Sequence, residues 1–175
     1  MSEAPAPGPL ESERLVLEPL RTEHADELAP VLGDAALYRY IGGRPPDAAE
    51  VHARVARQLA GRAPDGHERW LNWTVRERRR GRVVGTVQAT VTREHGCQIA
   101  ELAWVIGVAH QRQGFASEAA GLVAVWLRSL DVRLLRAHIH PDHDASNAVA
   151  RAIGLTPTDV IKDGERCWES PLPER

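Results

Sequence analysis

Apolar and polar residues alternate along three stretches in the middle of the chain, as they do in strands with one buried face. These stretches are 69–76, 82–92 and 98–107, and a turn at 77–81 joins the first two. Together they predict an antiparallel meander. A fourth alternating stretch, 13–20, contains a proline near its end and predicts an edge strand or a strand end.

Apolar residues recur with a helical period elsewhere in the chain. The clearest case is 114–128, and an alternating stretch at 133–140 follows it. The strands on either side of this helix predict one parallel pair joined by a helical crossover. Other helices are predicted at 25–32, 34–40, 47–59 and 145–153, and a last hairpin is predicted at 160–169.

These elements predict an α/β (α+β) fold with a mixed, mainly antiparallel sheet of six or seven strands flanked by helices. The 175 residues suffice for one domain, which we expect at 11–175 after a Pro-rich, disordered tail at 1–10. The net charge of −2 provides no field that would attract nucleic acid or an anionic membrane. The sequence lacks a signal pattern and a long apolar run, so the default location is cytoplasmic.

A polar turn with one glycine joins the strand at 98–107 to the helix at 114–128. Its sequence is Gln111-Arg112-Gln113-Gly114-Phe115-Ala116. Free backbone N–H groups at a helix start, together with the helix dipole, form an anion site. Gly114 lets the backbone approach a phosphate closely, and Ser117 adds a hydroxyl. Taken alone, such a turn is weak evidence, because a glycine at a helix start is often only geometry.

The stretch 101–120 resembles the acyl-CoA-binding motif of the GNAT acetyltransferase superfamily, whose pattern is Q/R-x-x-G-x-G/A. The match is closest to the branch that contains RimJ and RimL. Other segments resemble that branch in the same order along the chain, namely its first strand (14–20), second helix (38–42), third strand (84–87) and last helix (140–155). The resemblance implies a GNAT-like fold and covers nearly the whole folded chain.

The resemblance also implies how acetyl-CoA would be held. The strand ending at Gly107 would lend backbone groups to the pantetheine arm, and the turn amides would hold the pyrophosphate. A bulge in this strand and its splay from the next parallel strand would open a slot for the thioester. The implied cofactor-binding residues are Trp104, Val105, Ile106, Gln111, Arg112, Gln113, Gly114, Phe115, Ala116, Ser117, His143 and Asn147.

Glu101 puts a carboxylate at the start of an apolar strand. Alternation places it on the same face as Ala103 and Val105, opposite Leu102 and Ile106. In the resembling branch a glutamate at this position frequently lies near the acyl centre. The acceptor amine is protonated at neutral pH and must lose a proton before it attacks a thioester, so Glu101 is predicted to be the base. The alternative is a solvated glutamate at a strand end.

Departures from the family pattern affect the turn and the general acid. A second glycine that is common in the turn is replaced by Arg112, and a common basic residue by Gln113. Many relatives use a tyrosine near the last helix to protonate the leaving thiolate, whereas both tyrosines of this chain are far away in sequence. Ser146, His143 or water would then serve, or the thiolate would leave without help.

The acceptor site is implied by the same resemblance. Tyr38, Tyr40 and Arg44 lie where the branch builds its acceptor wall, with packing as the alternative role for the tyrosines. Trp70 and Trp73 fall on opposite faces of one strand. One is expected in the core, and the other, taken to be Trp73, at the edge of the acceptor cleft.

Two smaller patterns have simpler explanations. His138, His140 and His143 suggest a metal site, but no cysteine or carboxylate completes a known zinc spacing, so we expect no metal. The arginine-rich stretch 78–82 lies in a short turn without aromatic residues. It is expected to be a solvated hairpin tip and not a nucleic-acid site.

We therefore expect an N-acetyltransferase (EC 2.3.1.-) that moves an acetyl group from acetyl-CoA to a primary amine in a ternary complex. The amine would belong to a protein N-terminus or a small molecule. The alternatives are a non-catalytic acyl-CoA-binding sensor or interaction module, and a transferase for a longer acyl group such as succinyl. The expected partners are acetyl-CoA and the acceptor, not nucleic acid or a membrane, and a homodimer stays open.

Overall fold

Eight strands form one sheet in the part of the chain that the computed structural model describes, residues 6–171. The strands lie in the order β1-β2-β3-β4-β5-β6-β8-β7, and only β5 and β6 run parallel. Their bounds are β1 Leu10–Glu11, β2 Leu15–Pro19, β3 Arg69–Glu77, β4 Arg82–Glu94, β5 Cys97–Ile106, β6 Val132–Ile139, β7 Thr156–Lys162 and β8 Glu165–Glu169.

Helices cover both faces of this sheet. Within residues 6–171 they are α1 His24–Leu32, α2 Tyr38–Ile41, α3 Ala48–Gln58, α4 Phe115–Ser129 and α5 Asp144–Ala152, with 3₁₀ turns at Ala35–Leu37 and Val108–His110. α3 begins with a capping box, in which Asp47 accepts from the backbone N–H of Glu50 and Glu50 accepts from that of Asp47. None of the described helices is both long and apolar enough to cross a membrane.

The apolar residues form one cluster on each face of the sheet. The larger cluster lies under α4 and α5 and contains Trp73 and Val123. The smaller cluster lies under α1 and α3 and contains Leu28 and Val55, with Val105 of β5 packed against it. Burying a side chain of this size contributes about 1.5–3 kcal/mol, so both helix layers are held mainly by these contacts.

The mixed, mainly antiparallel sheet is confirmed, with one strand more than the predicted six or seven. The additional strand is β1, in which Leu10 pairs with Leu17. The carbonyl of Gly8 also accepts a hydrogen bond of 2.9 Å from the indole of Trp73. The sheet therefore starts inside the stretch that was predicted to be a disordered tail. The prediction missed this strand because two residues are too few to show an alternating pattern. Residues 1–5 of that tail, and residues 172–175, lie outside the described residues.

Candidate active site

β5 and β6 lie side by side only along their first residues. Their pairing runs from Gln98 opposite Val132 to Glu101 opposite Arg136, with a register shift after Gln98. Beyond Glu101, β5 continues to Ile106 paired with β4, while β6 pairs with β8 on its other side. The splay expected for this strand is present, and Glu101 is the last paired residue before the split. The bulge expected in β5 is a correction, because the register shift adds Arg133 to β6 while β5 pairs with β4 from Cys97 to Ile106 without a shift.

Two clefts meet at this split. The larger encloses about 660 Å³ and runs along the polar turn and the start of α5. The smaller encloses about 290 Å³ and lies over Glu101, Thr86 and Gln88. Both clefts share the wall formed by Tyr40, Ile41, Trp104, Val105, His143 and Ser146. A long ligand in the larger cleft would therefore present its end to a second ligand beside Glu101.

The polar turn owes its shape to two residues with positive φ. Arg112 has φ 61° and Gly114 has φ 78°. Arg112 occupies the position where the family pattern often has a second glycine, and it adopts the left-handed conformation that glycine favours, at a cost of roughly 1–2 kcal/mol. No side chain of residues 6–171 caps the N-terminus of α4, which begins at Phe115. The first-turn N–H groups of α4 are thus left to donate to a ligand.

Ten of the twelve residues predicted to bind the cofactor line the larger cleft; they are Trp104, Val105, Ile106, Gln111, Arg112, Gly114, Phe115, Ala116, Ser117 and His143. Gln111 also closes the turn, because its Nε2 donates to the carbonyl of Ile106 at 3.0 Å.

Gln113 and Asn147 are corrections to that prediction. The carbonyl of Gln113 accepts from Arg14 Nη1 at 2.8 Å, and Gln113 is outside the lining of both clefts. Asn147 is buried and its Nδ2 donates to the carbonyl of Pro141 at 2.9 Å. Since successive helical residues point about 100° apart, Ser146 faces the cleft while Asn147 points inward and ties down the loop before α5.

Glu101 forms a pair with a histidine that sequence reasoning did not connect with it. His138 Nδ1 lies 3.0 Å from Glu101 Oε1. The carboxylate side chain is 50% exposed, whereas that of His138 is 17% exposed. The histidine had been weighed only as a metal ligand. Its position two residues beyond Arg136, the partner of Glu101 across the parallel pair, is the signal that could have found it.

The alternation predicted for β5 is present. Glu101 and Ala103 are exposed on one face, while Leu102 and Ile106 are buried on the other. This arrangement places the carboxylate on the solvent side of the split and leaves the apolar residues under α4.

Tyr40 reaches the site from the other side of the cleft. Its ring stacks on that of His143, with centroids 4.6 Å apart and an interplanar angle of 15°. It also contacts His140 at a centroid distance of 5.5 Å. Burial lowers the pKa of His143, the neighbouring His140 lowers it further, and Asp144 opposes both. His143 is therefore neutral at neutral pH, and a tyrosine lies in the same wall as Ser146.

Tyr38 and Arg44 are not brought to either cleft. The hydroxyl of Tyr38 donates to the carbonyl of Leu32 at 2.9 Å, which attaches α2 to the end of α1. Arg44 forms an exposed ion pair with Glu50 in the capping box of α3. Both residues lie outside the lining of the two clefts and have structural contacts instead, which corrects their predicted place in the acceptor wall.

Trp73 is also a correction. It is 1% exposed, and its ring lies nearly perpendicular to that of Trp126 from α4, with the ring centroids 5.4 Å apart. Alternation correctly separated it from Trp70 but did not say which of the two faces was covered by α4. Trp70 is half-buried on the other face, and its indole N–H donates to Glu68 at 3.0 Å.

Sequence reasoning did not assign several polar residues of the smaller cleft to the site, among them Arg54, Gln88, His138 and Glu165. Arg54 comes from α3 and Glu165 from the start of β8, so their proximity depends on tertiary packing. Polar alternation along β4 is the signal that could have identified Gln88. Within residues 6–171, no group of three or more histidine, cysteine, aspartate and glutamate side chains is arranged to hold a metal ion.

The sequence that forms this fold and this split matches the model of a known protein family. Residues 14–156 match the model of the acetyltransferase (GNAT) domain. This chain belongs to the GNAT acetyltransferase family. The match includes β2 to β6, the polar turn and α5, so the whole of the cleft wall described above lies within the GNAT domain. Among proteins with curated functions, none matches this GNAT chain in sequence.

Solved structures share the same fold. The ribosomal α-N-protein acetyltransferase RimL in complex with coenzyme A has a TM-score of 0.76 and 18% identity, over 94% of this chain and 98% of RimL. A GNAT-family acetyltransferase from Bacillus anthracis has a TM-score of 0.72 and 17% identity, over 92% and 95% of the two chains. The microcin self-immunity acetyltransferase MccE, in complex with acetyl-CoA and AMP, has a TM-score of 0.73 and 14% identity, over 91% and 93%. At these identities the similarity establishes the fold alone.

Proposed function

We propose that this GNAT protein transfers the acetyl group of acetyl-CoA to a primary amine by direct attack in a ternary complex. The observation that carries the proposal is the meeting of the two clefts at the split between β5 and β6, beside Glu101. Two of the similar structures were solved with coenzyme A or acetyl-CoA, which supports the same ligand here.

Acetyl-CoA would occupy the larger cleft. The N–H groups of Gly114 and the first turn of α4 would donate to the pyrophosphate, with the helix dipole favouring its charge. Arg39 and Arg112 line the same cleft and add positive charge. The pantetheine arm would lie along β5 beyond Glu101, where β6 no longer pairs with it.

Glu101 would act as the general base. The amine gives a proton to the Glu101 carboxylate, directly or through water, and its nitrogen then attacks the thioester carbonyl. The carbon–sulfur bond breaks as the tetrahedral intermediate collapses, the sulfur leaves as a thiolate, and the attacking nitrogen releases its remaining extra proton to water to give the neutral amide. His138 would hold the carboxylate in place through the 3.0 Å contact. Much of the rate enhancement would come from aligning the two substrates.

The thiolate would be protonated from the wall shared by the two clefts. Ser146 and His143 were the predicted donors, and the stacking of Tyr40 on His143 adds a phenol to this group. Because the lowered pKa of His143 keeps it neutral, we assign it to positioning Tyr40 and assign the proton to the Tyr40 or Ser146 hydroxyl.

The acceptor is proposed to be the amine of a protein N-terminus or of a small molecule. It would enter the smaller cleft, which contains two carboxylates, Glu101 and Glu165, and can therefore attract an ammonium group. The pairing of Glu101 with His138 at the split favours a catalyst over a non-catalytic sensor. A succinyl donor and a homodimer are open alternatives, and the cytoplasmic location stays a prediction.

The test is to incubate the purified protein with acetyl-CoA and a panel of amines and N-terminal peptides while measuring free thiol. We expect release above that of the Glu101→Gln variant with at least one acceptor. Coenzyme A should also raise the melting temperature, since a ligand at 100 times its Kd adds about 2.7 kcal/mol to stability. Stabilisation without thiol release would favour the sensor. The absence of stabilisation at millimolar ligand would contradict the proposal as a whole.

A further inference from the structure

One arginine outside the clefts contacts the polar turn and the start of α4 at three points. Arg14 lies just before β2, and its Nη1 donates to the carbonyl of Gln113 at 2.8 Å. Its Nε donates to Glu118 Oε2 at 2.8 Å, and its guanidinium carbon lies 5.0 Å from the centroid of the Phe115 ring. A single side chain thus contacts the turn, the first residue of α4 and the end of the first turn of α4.

The bond to Gln113 fixes the orientation of one peptide unit. In a trans peptide the C=O of one residue and the N–H of the next point in opposite directions. Because Arg14 holds the carbonyl of Gln113, the N–H of Gly114 points away from Arg14, and Gly114 lines the larger cleft. Gly114 has no Cβ and a φ of 78°, so its own sterics limit the rotation of this peptide unit less than those of any other residue would.

The hydrogen bond from Arg14 to Glu118 compensates a negative charge close to the proposed pyrophosphate site. Glu118 lies in the first turn of α4, where a bound polyanion would be repelled by a bare carboxylate. Burial acts to raise the pKa of Glu118, but hydrogen bonds from Ser12 and Arg14 outweigh it and hold the pKa below its ordinary value. The carboxylate is therefore ionised at neutral pH, and the guanidinium of Arg14 compensates its charge.

We propose that Arg14 is a positioning residue for the pyrophosphate of coenzyme A. It locks the Gln113–Gly114 peptide so that the Gly114 N–H faces the ligand, and it neutralises Glu118 at the same site. Arg14 does this from outside the cleft, without contacting the reacting atoms. The inference rests on the proposed use of acetyl-CoA.

The experiment compares two ligands on the Arg14→Met variant. Coenzyme A carries the pyrophosphate, whereas pantetheine has the same arm and lacks it. We expect the Kd for coenzyme A, measured by titration calorimetry, to rise about 10- to 100-fold, the range for losing charge-assisted hydrogen bonds. The Kd for pantetheine should stay within about twofold of wild type. A general disturbance of the fold would weaken the binding of both ligands alike.

Arg78→Met is the matched control. Arg78 ties down the same N-terminal segment, because its Nε donates to the carbonyl of Ser12 at 2.9 Å and it pairs with Glu11, away from the turn. The Kd of the Arg78→Met variant for coenzyme A should stay within about twofold of wild type. Arg14→Lys keeps the charge but loses the forked guanidinium that reaches Gln113 and Glu118 together. It should raise the Kd for coenzyme A by more than about twofold and leave the Kd for pantetheine unchanged.

The inference is overturned if Arg14→Met, or Arg14→Lys when the methionine variant does not fold, binds coenzyme A as wild type does. Equal weakening of coenzyme A and pantetheine, or equal weakening in Arg14→Met and Arg78→Met, would overturn it as well. Failure of the wild-type protein to bind coenzyme A would be a different result, because it would contradict the proposed function itself.

Discussion

His138 Nδ1 lies 3.0 Å from Glu101 Oε1, across the point at which two parallel strands separate. The imidazole is mostly buried and the carboxylate is half exposed. The histidine can therefore fix the carboxylate without removing it from solvent. A carboxylate held in this way is suited to take a proton from an amine in the smaller cleft and pass it on to water.

Replacing the carboxylate tests this role directly. Glu101→Gln should lower kcat/KM by roughly ten- to ten-thousand-fold, the range for losing a general base, while the Kd for coenzyme A is retained. The deficit should shrink at high pH, where the free amine is already deprotonated. Steady-state kinetics across pH, with calorimetry for coenzyme A, provide the measurement. Unchanged kcat/KM, or a deficit shared by the surface variant Glu13→Gln, would return Glu101 to a solvated strand end.

The partner histidine should act through Glu101 and not beside it. His138→Asn should reduce kcat/KM by about tenfold in the wild-type background and have little further effect in the Glu101→Gln background. The reason is that residues acting as one unit have non-additive effects. A double-mutant cycle on kcat/KM measures this coupling, and fully additive effects would show that the two residues work separately.

The parts of the site that lie within one element were predictable from the sequence, and the parts that depend on packing between elements were not. Alternation along β5 identified the face on which Glu101 lies, and the turn pattern identified the position of Gly114 in the cleft. Both features depend only on one element and the element that follows it in the chain. Trp73 was misplaced because alternation separates the faces of a strand without saying which is covered. Tyr40 was predicted in the acceptor wall but was passed over as the general acid because of its distance in sequence. It stacks on His143 because α2 and the loop before α5 face each other across the split.

The Tyr40 hydroxyl can be separated from the Tyr40 ring by two substitutions. Tyr40→Phe keeps the stack on His143 and removes only the hydroxyl, whereas Tyr40→Ala removes both. If the phenol protonates the leaving thiolate, Tyr40→Phe should lower kcat by about tenfold or more, with the KM for acetyl-CoA unchanged. Ser146→Ala should then have little effect on kcat. Full activity of Tyr40→Phe together with a low kcat for Ser146→Ala would transfer the role to the serine.

The turn should be intolerant of negative charge at its glycine. Gly114→Asp places a carboxylate beside the proposed pyrophosphate position, and its Cβ would lie 3.4 Å from Arg14 Nη2. We expect the melting-temperature increase caused by coenzyme A to be lost, measured by differential scanning fluorimetry. Gly96→Asp is the control, because Gly96 has a similar φ of 81° in open space at the β4–β5 hairpin. A retained increase in Gly114→Asp, or a loss in both variants, would contradict the assignment.

The lowered pKa of His143 predicts a pH dependence of stability. Burial and His140 lower its pKa in the folded protein from an ordinary value of 6.5, with Asp144 opposing. The unfolded chain therefore binds a proton at a higher pH than the folded chain does. The stability linked to His143 is fully present above about pH 6.5 and is lost as the pH falls from there through the lowered pKa of the folded state.

His143→Gln should remove this pH-dependent contribution to stability. The free energy of unfolding of the variant should therefore decline less than that of wild type between about pH 8 and about pH 5.5. The loss of stacking on Tyr40 does not depend on the titration of His143, so it cancels when the two pH values are compared within each protein. Urea unfolding of both proteins at both pH values gives the four free energies. Equal declines would show that the proton is taken up elsewhere, with His140 as the next residue to replace.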